Sequence, residues 1–282
     1  MDIEIAKYSG YCFGVKRALD IAEETLNKYK KKVNKIYTLG QIIHNRGVVE
    51  GLSKKGITVV NSEENITPGS ILIVRSHGMS PVVLKRIRAK KVKIVDTTCP
   101  FVKKAQDKAN FLSRSGYFVI IIGNKEHPEV IGIKEHIENN NFAVVEDIKD
   151  VKNIGKKEKI GIVVQTTQTS KKFKSIVSKI LEKGKEILVE NTICSTTVNR
   201  QNSTRELAKR VDVMIIVGGK NSANTTYLAE ISKNCNTITY HIENYKGINL
   251  SWLRDVKKVG ISGGASTPEK DILKVKKLIE KL

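Results

Sequence analysis

Short apolar runs alternate along the chain with segments in which apolar residues recur every three or four positions. The runs that predict β-strands lie at 3–6, 35–39, 71–74, 94–95, 117–122, 159–164, 187–189, 211–217 and 259–261. Helical spacing follows most of them, as after the run at 94–95, where the apolar positions are Val102, Ala105, Ala109 and Leu112. Apolar strands that alternate with amphipathic helices predict an α/β fold with parallel sheets.

Three cysteines lie in turns of the same kind. Cys12, Cys99 and Cys194 each stand between a predicted strand and a predicted helix, 87 and 95 residues apart. This recurrence predicts three similar βα modules, at residues 1–95, 96–191 and 192–282. Three thiolates brought to one point predict a metal or iron–sulfur centre. The fourth cysteine, Cys235, precedes a strand in a polar loop and is interpreted as uninvolved.

Polar side chains concentrate where strands end and helices begin, which is the edge at which open α/β sheets bind ligands. Helix N-termini at this edge favour phosphate and thiolate groups. Glu129 is interpreted equally as a cap of such a terminus or as a proton source in a closed cavity. Ser266 and Glu269 match a capping box. The strand-end set consists of Cys12, His77, Cys99, His127, Thr166, Cys194, Ser222, Asn224 and Ser266, and His44 lies in a similar loop.

The residues alone do not decide which metal or cluster the cysteines bind. Zinc bound by the three cysteines and His127 is one alternative. Structural zinc usually uses closely spaced cysteine pairs, however, and the sequence contains none. A [4Fe–4S] cluster with three cysteine ligands leaves one iron open for a substrate, which agrees with the polar turns around the cysteines.

The chain carries a formal net charge of +21, which raises the question of nucleic-acid binding. Its lysines are spread over many predicted helices and loops, and no nucleic-acid motif occurs. We therefore interpret them as a solvated surface, with steering of acidic partners or phosphorylated substrates as the alternative. No apolar run is long enough to span a membrane, and the acidic N-terminus does not look like a signal peptide. Four cysteines in 282 residues indicate a reducing cytoplasm.

Nine short motifs, in this order and along nearly the whole chain, resemble the LytB/IspH family. They are Gly10–Val15, His44–Arg46, Ser76–Gly78, Asp96–Pro100, His127–Val130, Gln165–Thr167, Ile193–Cys194 with Asn199–Gln201, Lys220–Ser222 and Gly264–Ser266. Each motif alone is weak, but the ordered set is very specific. Members of this family are 4-hydroxy-3-methylbut-2-enyl diphosphate reductases, which form isopentenyl and dimethylallyl diphosphate in the last step of the methylerythritol phosphate pathway.

The resemblance implies that the three modules form a pseudo-threefold trefoil around a central cavity. It implies one [4Fe–4S] cluster held by Cys12, Cys99 and Cys194, with a fourth iron open to the substrate hydroxyl. Two electrons and protons then remove that oxygen as water. By the same resemblance, the catalytic residues are Glu129, Thr166 and His127.

The resemblance also assigns the residues that bind the substrate: His44, His77, His127, Thr166, Ser222, Ala223, Asn224 and Ser266. Ala223 is a departure, because the family commonly has a second serine there. One hydroxyl contact to the diphosphate is thus absent, although the backbone N–H remains. We expect a modest effect on affinity and no loss of activity.

The expected partners are the allylic diphosphate and an acidic ferredoxin or flavodoxin as electron donor. We expect no nucleic acid, no membrane, and a monomer or weak homodimer. The alternative hypothesis assigns a different class of function, in which the chain is a basic nucleic-acid-binding or redox-sensing protein with a structural metal or cluster. The strand-end histidines, Glu129 and the Ser and Asn residues favour the reductase, because a sensor does not need them.

Overall fold

The computed structural model describes residues 1–235 and 237–281, except for the side chain of residue 139. The strands are β1 (Asp2–Ile5), β2 (Ile36–Leu39), β3 (Ile57–Val60), β4 (Ile71–Val74), β5 (Lys93–Asp96), β6 (Phe118–Ile122), β7 (Phe142–Val145), β8 (Lys157–Val164), β9 (Gly184–Val189), β10 (Val213–Val217), β11 (Ile238–Ile242) and β12 (Lys258–Gly263). The α-helices are α1 (Phe13–Tyr29), α2 (Arg46–Lys55), α3 (Pro81–Ala89), α4 (Pro100–Arg114), α5 (Pro128–Lys134), α6 (Ser170–Ile180), α7 (Ser195–Ala208), α8 (Ala223–Lys233) and α9 (Glu269–Ile279). Short 3-10 helices lie at Glu63–Asn65, Glu138–Asn140, Ile148–Asn153, Tyr245–Gly247 and Leu250–Leu253.

These strands form three parallel four-stranded sheets that share one strand order. The first sheet has the order β3-β2-β4-β5, and the second has the order β7-β6-β8-β9. The third has the order β11-β10-β12-β1, so the strand that completes it comes from the start of the chain. Asp2 aligns with Lys258 and Ile5 with Ile261. The predicted α/β class with parallel sheets is confirmed.

The inner strands are the most apolar because helices cover both faces of a parallel sheet. Every residue of β4 and of β10 is buried. Edge strands such as β5 and β9 are only partly buried. The hydrophobic pattern does not predict the short edge strands β3 and β7, which carry fewer buried residues than the inner strands they pair with.

The chain divides into two compact units. The first unit consists of Met1–Lys16, His44–Val48 and the chain from Ser195 onward, and it contains the third sheet. The second unit consists of Arg17–Ile43 and Val49–Cys194, and it contains the first two sheets. The three-module boundaries near residues 95 and 191 stay predictions. No helix in the described part of the chain combines the length and apolar character needed to cross a bilayer.

Candidate active site

The three cysteines occupy equivalent places in the three sheets. Each follows the edge strand that pairs with an inner strand, and each stands directly before the first residue of a helix: Cys12 before α1, Cys99 before α4 and Cys194 before α7. The backbone N–H of each cysteine donates to a carbonyl two residues beyond the paired inner strand. The N–O distances are 3.0 Å for Cys12 to Ala265, Cys99 to Ser76 and Cys194 to Thr166. The recurrence predicted from sequence is therefore a repeated local structure.

Two of the cysteine loops are built by the same short motif. Asp96 and Asn191 each accept, through Oδ1, the backbone N–H two residues later, at 2.9 and 3.2 Å. This is an Asx-turn, for which these two residue types are suited. The residue after the Asp or Asn is a threonine in both loops. Thr97 and Thr192 each donate the hydroxyl to the last carbonyl of the neighbouring inner strand. The motif Asp/Asn-Thr-x-Cys thus ties the cysteine to the sheet.

Glu129 is the buried acid of the second unit. It lies in the first turn of α5 and is 1% exposed. Its Oε1 accepts the backbone N–H of Thr166 at 2.6 Å, and its Oε2 accepts the Thr166 hydroxyl at 2.8 Å. The carbonyl of Thr166 accepts the N–H of Cys194. One threonine therefore bonds both to the candidate proton donor and to a candidate cluster ligand.

Burial raises the pKa of Glu129 from 4.5 to about 7, because the charged form loses its hydration. The two hydrogen bonds from Thr166 act in the opposite direction and lower the pKa, since they stabilise the carboxylate. A carboxyl group with a pKa near neutrality can both hold and release a proton under physiological conditions. The buried position favours the proton-source interpretation over a simple helix cap.

His127 is the N-cap of α5. Its Nδ1 accepts the backbone N–H of Glu129 at 3.1 Å, which leaves the neutral ring with its proton on Nε2. The ring of His77 lies 5.6 Å from that of His127, with the two planes at 82°. The second unit therefore brings His77, His127, Glu129 and Thr166 together. The loop of His77 accepts a backbone hydrogen bond from Cys99 through Ser76, and Thr166 accepts one from Cys194.

The first unit brings together another part of the predicted set. Ser222 is the N-cap of α8 and accepts the N–H of Thr225 at 3.4 Å, while Ala223 is the first residue of that helix. The hydroxyl of Ser266 donates to the carbonyl of His44 at 2.8 Å. The predicted capping box is wrong, because α9 is capped at Pro268 without a side-chain bond and Ser266 holds the His44 loop instead.

Asn224 is the clearest indication of a ligand in the first unit. The residue is 4% exposed, and neither its Nδ2 nor its Oδ1 has a hydrogen-bond partner in the described structure. A buried amide without partners is costly, so it indicates a polar group that binds there. The backbone of Gly264 lies close to the residue after Asn224, because a Cβ at position 264 would be 2.1 Å from the Thr225 hydroxyl oxygen.

The three strand-end cysteines are candidate ligands of a metal or cluster. All four cysteines of the chain are outside disulfides. The Cys12 sulfur accepts the N–H of Val15 at 3.4 Å. Cys235, in contrast, packs beside an apolar cluster with its sulfur 4.0 Å from the carbonyl of Arg205. This agrees with its interpretation as uninvolved.

The sequence pattern assigns no role to two residues that hold these loops. Arg200 is 4% exposed and donates to the carbonyl of Gly263 at 2.6 Å. The Oε1 of Gln165 accepts the N–H of Asn124 at 3.0 Å. Both lie in motifs of the family resemblance.

The loop threonines Thr97 and Thr192 also hold the site, and the repeated Thr-x-Cys spacing is the sequence signal for them.

Comparison with known proteins finds the same family along the whole chain. The family model described as LytB protein matches residues 3–280. The 4-hydroxy-3-methylbut-2-enyl diphosphate reductase of Aquifex aeolicus is 46% identical over 284 residues, which cover 100% of this chain and 97% of that protein. The reductase of Caldanaerobacter subterraneus subsp. tengcongensis is 43% identical, covering 100% of this chain and 96% of that protein.

Two solved structures are also similar. One is a structure of (E)-4-hydroxy-3-methyl-but-2-enyl diphosphate reductase, described as the terminal enzyme of the non-mevalonate pathway. It matches with a TM-score of 0.73 at 46% identity, and each chain is covered completely. The other is the E-1-hydroxy-2-methyl-but-2-enyl-4-diphosphate reductase from Plasmodium falciparum. It has a TM-score of 0.93 at 29% identity, covering 98% of this chain and 87% of that one.

Proposed function

The chain belongs to the LytB protein family, and on this premise we propose that it reduces 4-hydroxy-3-methylbut-2-enyl diphosphate to isopentenyl and dimethylallyl diphosphate. The reaction breaks the C–O bond of the allylic alcohol and forms a C–H bond. It consumes two electrons and two protons, and the oxygen leaves as water. The proposal therefore needs a source of electrons, a proton donor and a site for the diphosphate.

The observation that carries the proposal is the position of Thr166. This residue bonds to the buried carboxyl of Glu129 through its N–H and hydroxyl, and to the backbone of Cys194 through its carbonyl. We propose that Cys12, Cys99 and Cys194 hold one [4Fe–4S] cluster with an open fourth iron. When bound, such a cluster supplies electrons and a Lewis acid for the substrate oxygen.

The protein's own residues then hold the substrate and move protons. Glu129, with its pKa near 7, gives its proton to the departing oxygen, and Thr166 orients the carboxyl group. His127 contributes Nε2–H as a donor, because its Nδ1 is occupied by the N–H of Glu129. In this proposal the diphosphate is also held by His44, His77, Ser222, the Ala223 backbone N–H, Asn224 and Ser266, through charge-assisted hydrogen bonds. Thr166 contacts the substrate beside Glu129.

Glu129→Gln tests the proposal. Anaerobic turnover with a reduced viologen dye should fall by roughly a hundredfold or more, the usual contribution of a positioned proton donor. Glutamine is close in shape and can still bond to Thr166, so the fold should be kept. Iron content and the visible spectrum check that the cluster is intact. Glu64→Gln, at an exposed position, is the matched control and should keep full activity.

Two results would overturn parts of the proposal. If cluster-loaded wild type does not turn over the substrate, the reductase function is wrong and the sensor hypothesis gains support. If Glu129→Gln is as active as wild type, the enzyme stands but Glu129 is not its proton donor.

A further inference from the structure

His77 stands in a four-residue turn that Arg75 closes with both its backbone and its side chain. The turn, Arg75–Gly78, follows β4, and the Gly78 N–H donates to the Arg75 carbonyl at 3.0 Å. In the other direction, Nε of Arg75 donates to the Gly78 carbonyl at 3.4 Å. Gly78 has a φ of 81°, a left-handed conformation that glycine adopts without strain. Both backbone polar groups of Gly78 are therefore bonded to Arg75.

The residue on the other side of His77 is fixed as well. Ser76 donates its backbone N–H at 3.2 Å and its hydroxyl at 3.1 Å to the carbonyl of Ile42. The carbonyl of Ser76 accepts the N–H of Cys99. His77 thus lies between two anchored residues, and Arg75 supplies the anchor on the Gly78 side.

The Arg75 guanidinium is partly withdrawn from water, and it forms no ion pair with any residue that the structure describes. Its Nη1 lies 3.0 Å from the place that a Cβ on Gly40, the residue after β2, would occupy. Burial lowers the pKa of Arg75 below its ordinary value, and the negative charge of Glu135 acts in the opposite direction. An apolar side chain would fill this place without the cost of desolvating a charge, so packing does not explain the arginine.

We propose that Arg75 is a positioning residue for the substrate diphosphate and that it acts through His77. This proposal rests on the proposed function, in which His77 binds the diphosphate. By bonding to Gly78, Arg75 fixes the backbone that carries the imidazole, so less freedom is lost when the diphosphate binds. The diphosphate is remote from the C–O bond that breaks, and its contacts are the same in the ground state and the transition state. Loss of Arg75 should therefore raise KM and leave kcat nearly unchanged.

Binding of inorganic diphosphate to the cluster-loaded protein, measured by isothermal titration calorimetry, tests the proposal without turnover. Arg75→Met keeps a long side chain and removes the donor to Gly78. Its Kd for diphosphate should rise by about tenfold. Arg88→Met removes the same charge from an exposed position on α3 in the same unit, so this matched control should bind like wild type.

A double-mutant cycle with His77→Ala shows whether Arg75 acts through His77. If it does, the change at Arg75 has little left to disturb once the imidazole is absent. The double variant should then bind diphosphate about as weakly as His77→Ala alone. Additive losses would show that Arg75 attracts the diphosphate independently of His77, and the positioning role would be wrong.

Arg75→Lys separates the turn contact from the charge. Lysine keeps the positive charge but has a carbon atom, Cε, at the place of the arginine Nε. Diphosphate binding should therefore weaken in this variant too, and wild-type affinity would overturn the proposal. Thermal unfolding and iron content check that each variant is folded and loaded. If Arg75→Met does not fold, the cycle with His77→Ala is measured with Arg75→Lys instead.

Turnover with reduced viologen distinguishes this proposal from the proposed function. Arg75→Met should raise KM by about tenfold and change kcat by less than about twofold. A lower kcat with an unchanged KM would contradict the positioning role. If wild type neither binds diphosphate nor turns over the substrate, the proposed function itself fails. If wild type does both and Arg75→Met matches it in diphosphate affinity and KM, only the role of Arg75 is overturned.

Discussion

Glu129 carries a carboxyl group that is almost completely shielded from water. Its two hydrogen bonds from Thr166 favour the charged form, yet desolvation outweighs them and the pKa rises to about 7. The two residues are 37 positions apart in sequence. The sequence therefore identifies Glu129 and Thr166 as candidates. It does not decide whether Glu129 is a helix cap or an acid, because that choice depends on burial.

The raised pKa of Glu129 predicts how stability changes with pH. Between pH 4.5 and about 7, the unfolded chain has lost the Glu129 proton while the folded chain still holds it. Stability contributed by this group is thus present below pH 4.5 and is lost as the pH rises through 7, by up to about 3 kcal/mol. As the pH rises from 4.5 to 7, the thermal midpoint of wild type should therefore fall relative to that of Glu129→Gln. Parallel pH curves for the two proteins would contradict the prediction.

The loops after the edge strands show how much of the site is built by local sequence. Asp96-Thr97-Thr98-Cys99 and Asn191-Thr192-Ile193-Cys194 make the same Asx-turn and the same threonine bond to the neighbouring strand. The turn can be predicted from residue types, because the side chain bonds two residues ahead. The threonine bond cannot, since its acceptor lies on another strand.

Thr192→Val tests the role of this bond. Thr192 Oγ1 also accepts the N–H of Val164 at 2.9 Å, and valine would leave both buried backbone groups without that partner. We expect a loss of about 1–3 kcal/mol in stability and a lower iron content, because the Cys194 loop is no longer fixed. Thermal unfolding and iron analysis measure the two effects. Thr58→Val, at an exposed strand position, should change neither. A Thr192→Val protein with wild-type stability and iron would show that the bond does not position the cysteine.

The three sheets share one strand order, but the third is completed by β1 from the other end of the chain. In the first two sheets, a helix leads from the third strand to the fourth, as α3 leads from β4 to β5. Helix α9 follows β12 in the same way, and parallel crossovers return the chain to the start of the next strand. The end of α9 is therefore expected near the start of β1.

A circular permutant tests this arrangement. Joining residue 282 to residue 1 by a short Gly–Ser linker and opening the exposed turn between Val33 and Asn34 makes each sheet contiguous in sequence. We expect the permutant to fold, with a circular dichroism spectrum and iron content like those of wild type. Opening the chain between Ile215 and Ile216, inside the buried strand β10, is the control and should abolish folding. Failure of the first permutant alone would contradict the expected proximity of α9 and β1.

Local patterns in the sequence were sufficient for the fold class, the inner strands, the helix starts after Cys12, Cys99 and Cys194, and the family. These features depend on periodicity, on helix-start chemistry and on residue types within a few positions of one another. Tertiary structure was needed for the pairing of β1 with β12, the bond from Ser266 to His44 in place of a cap, and the raised pKa of Glu129. Strand pairing and desolvation depend on neighbours that are distant along the chain, and no local pattern records which neighbours those will be.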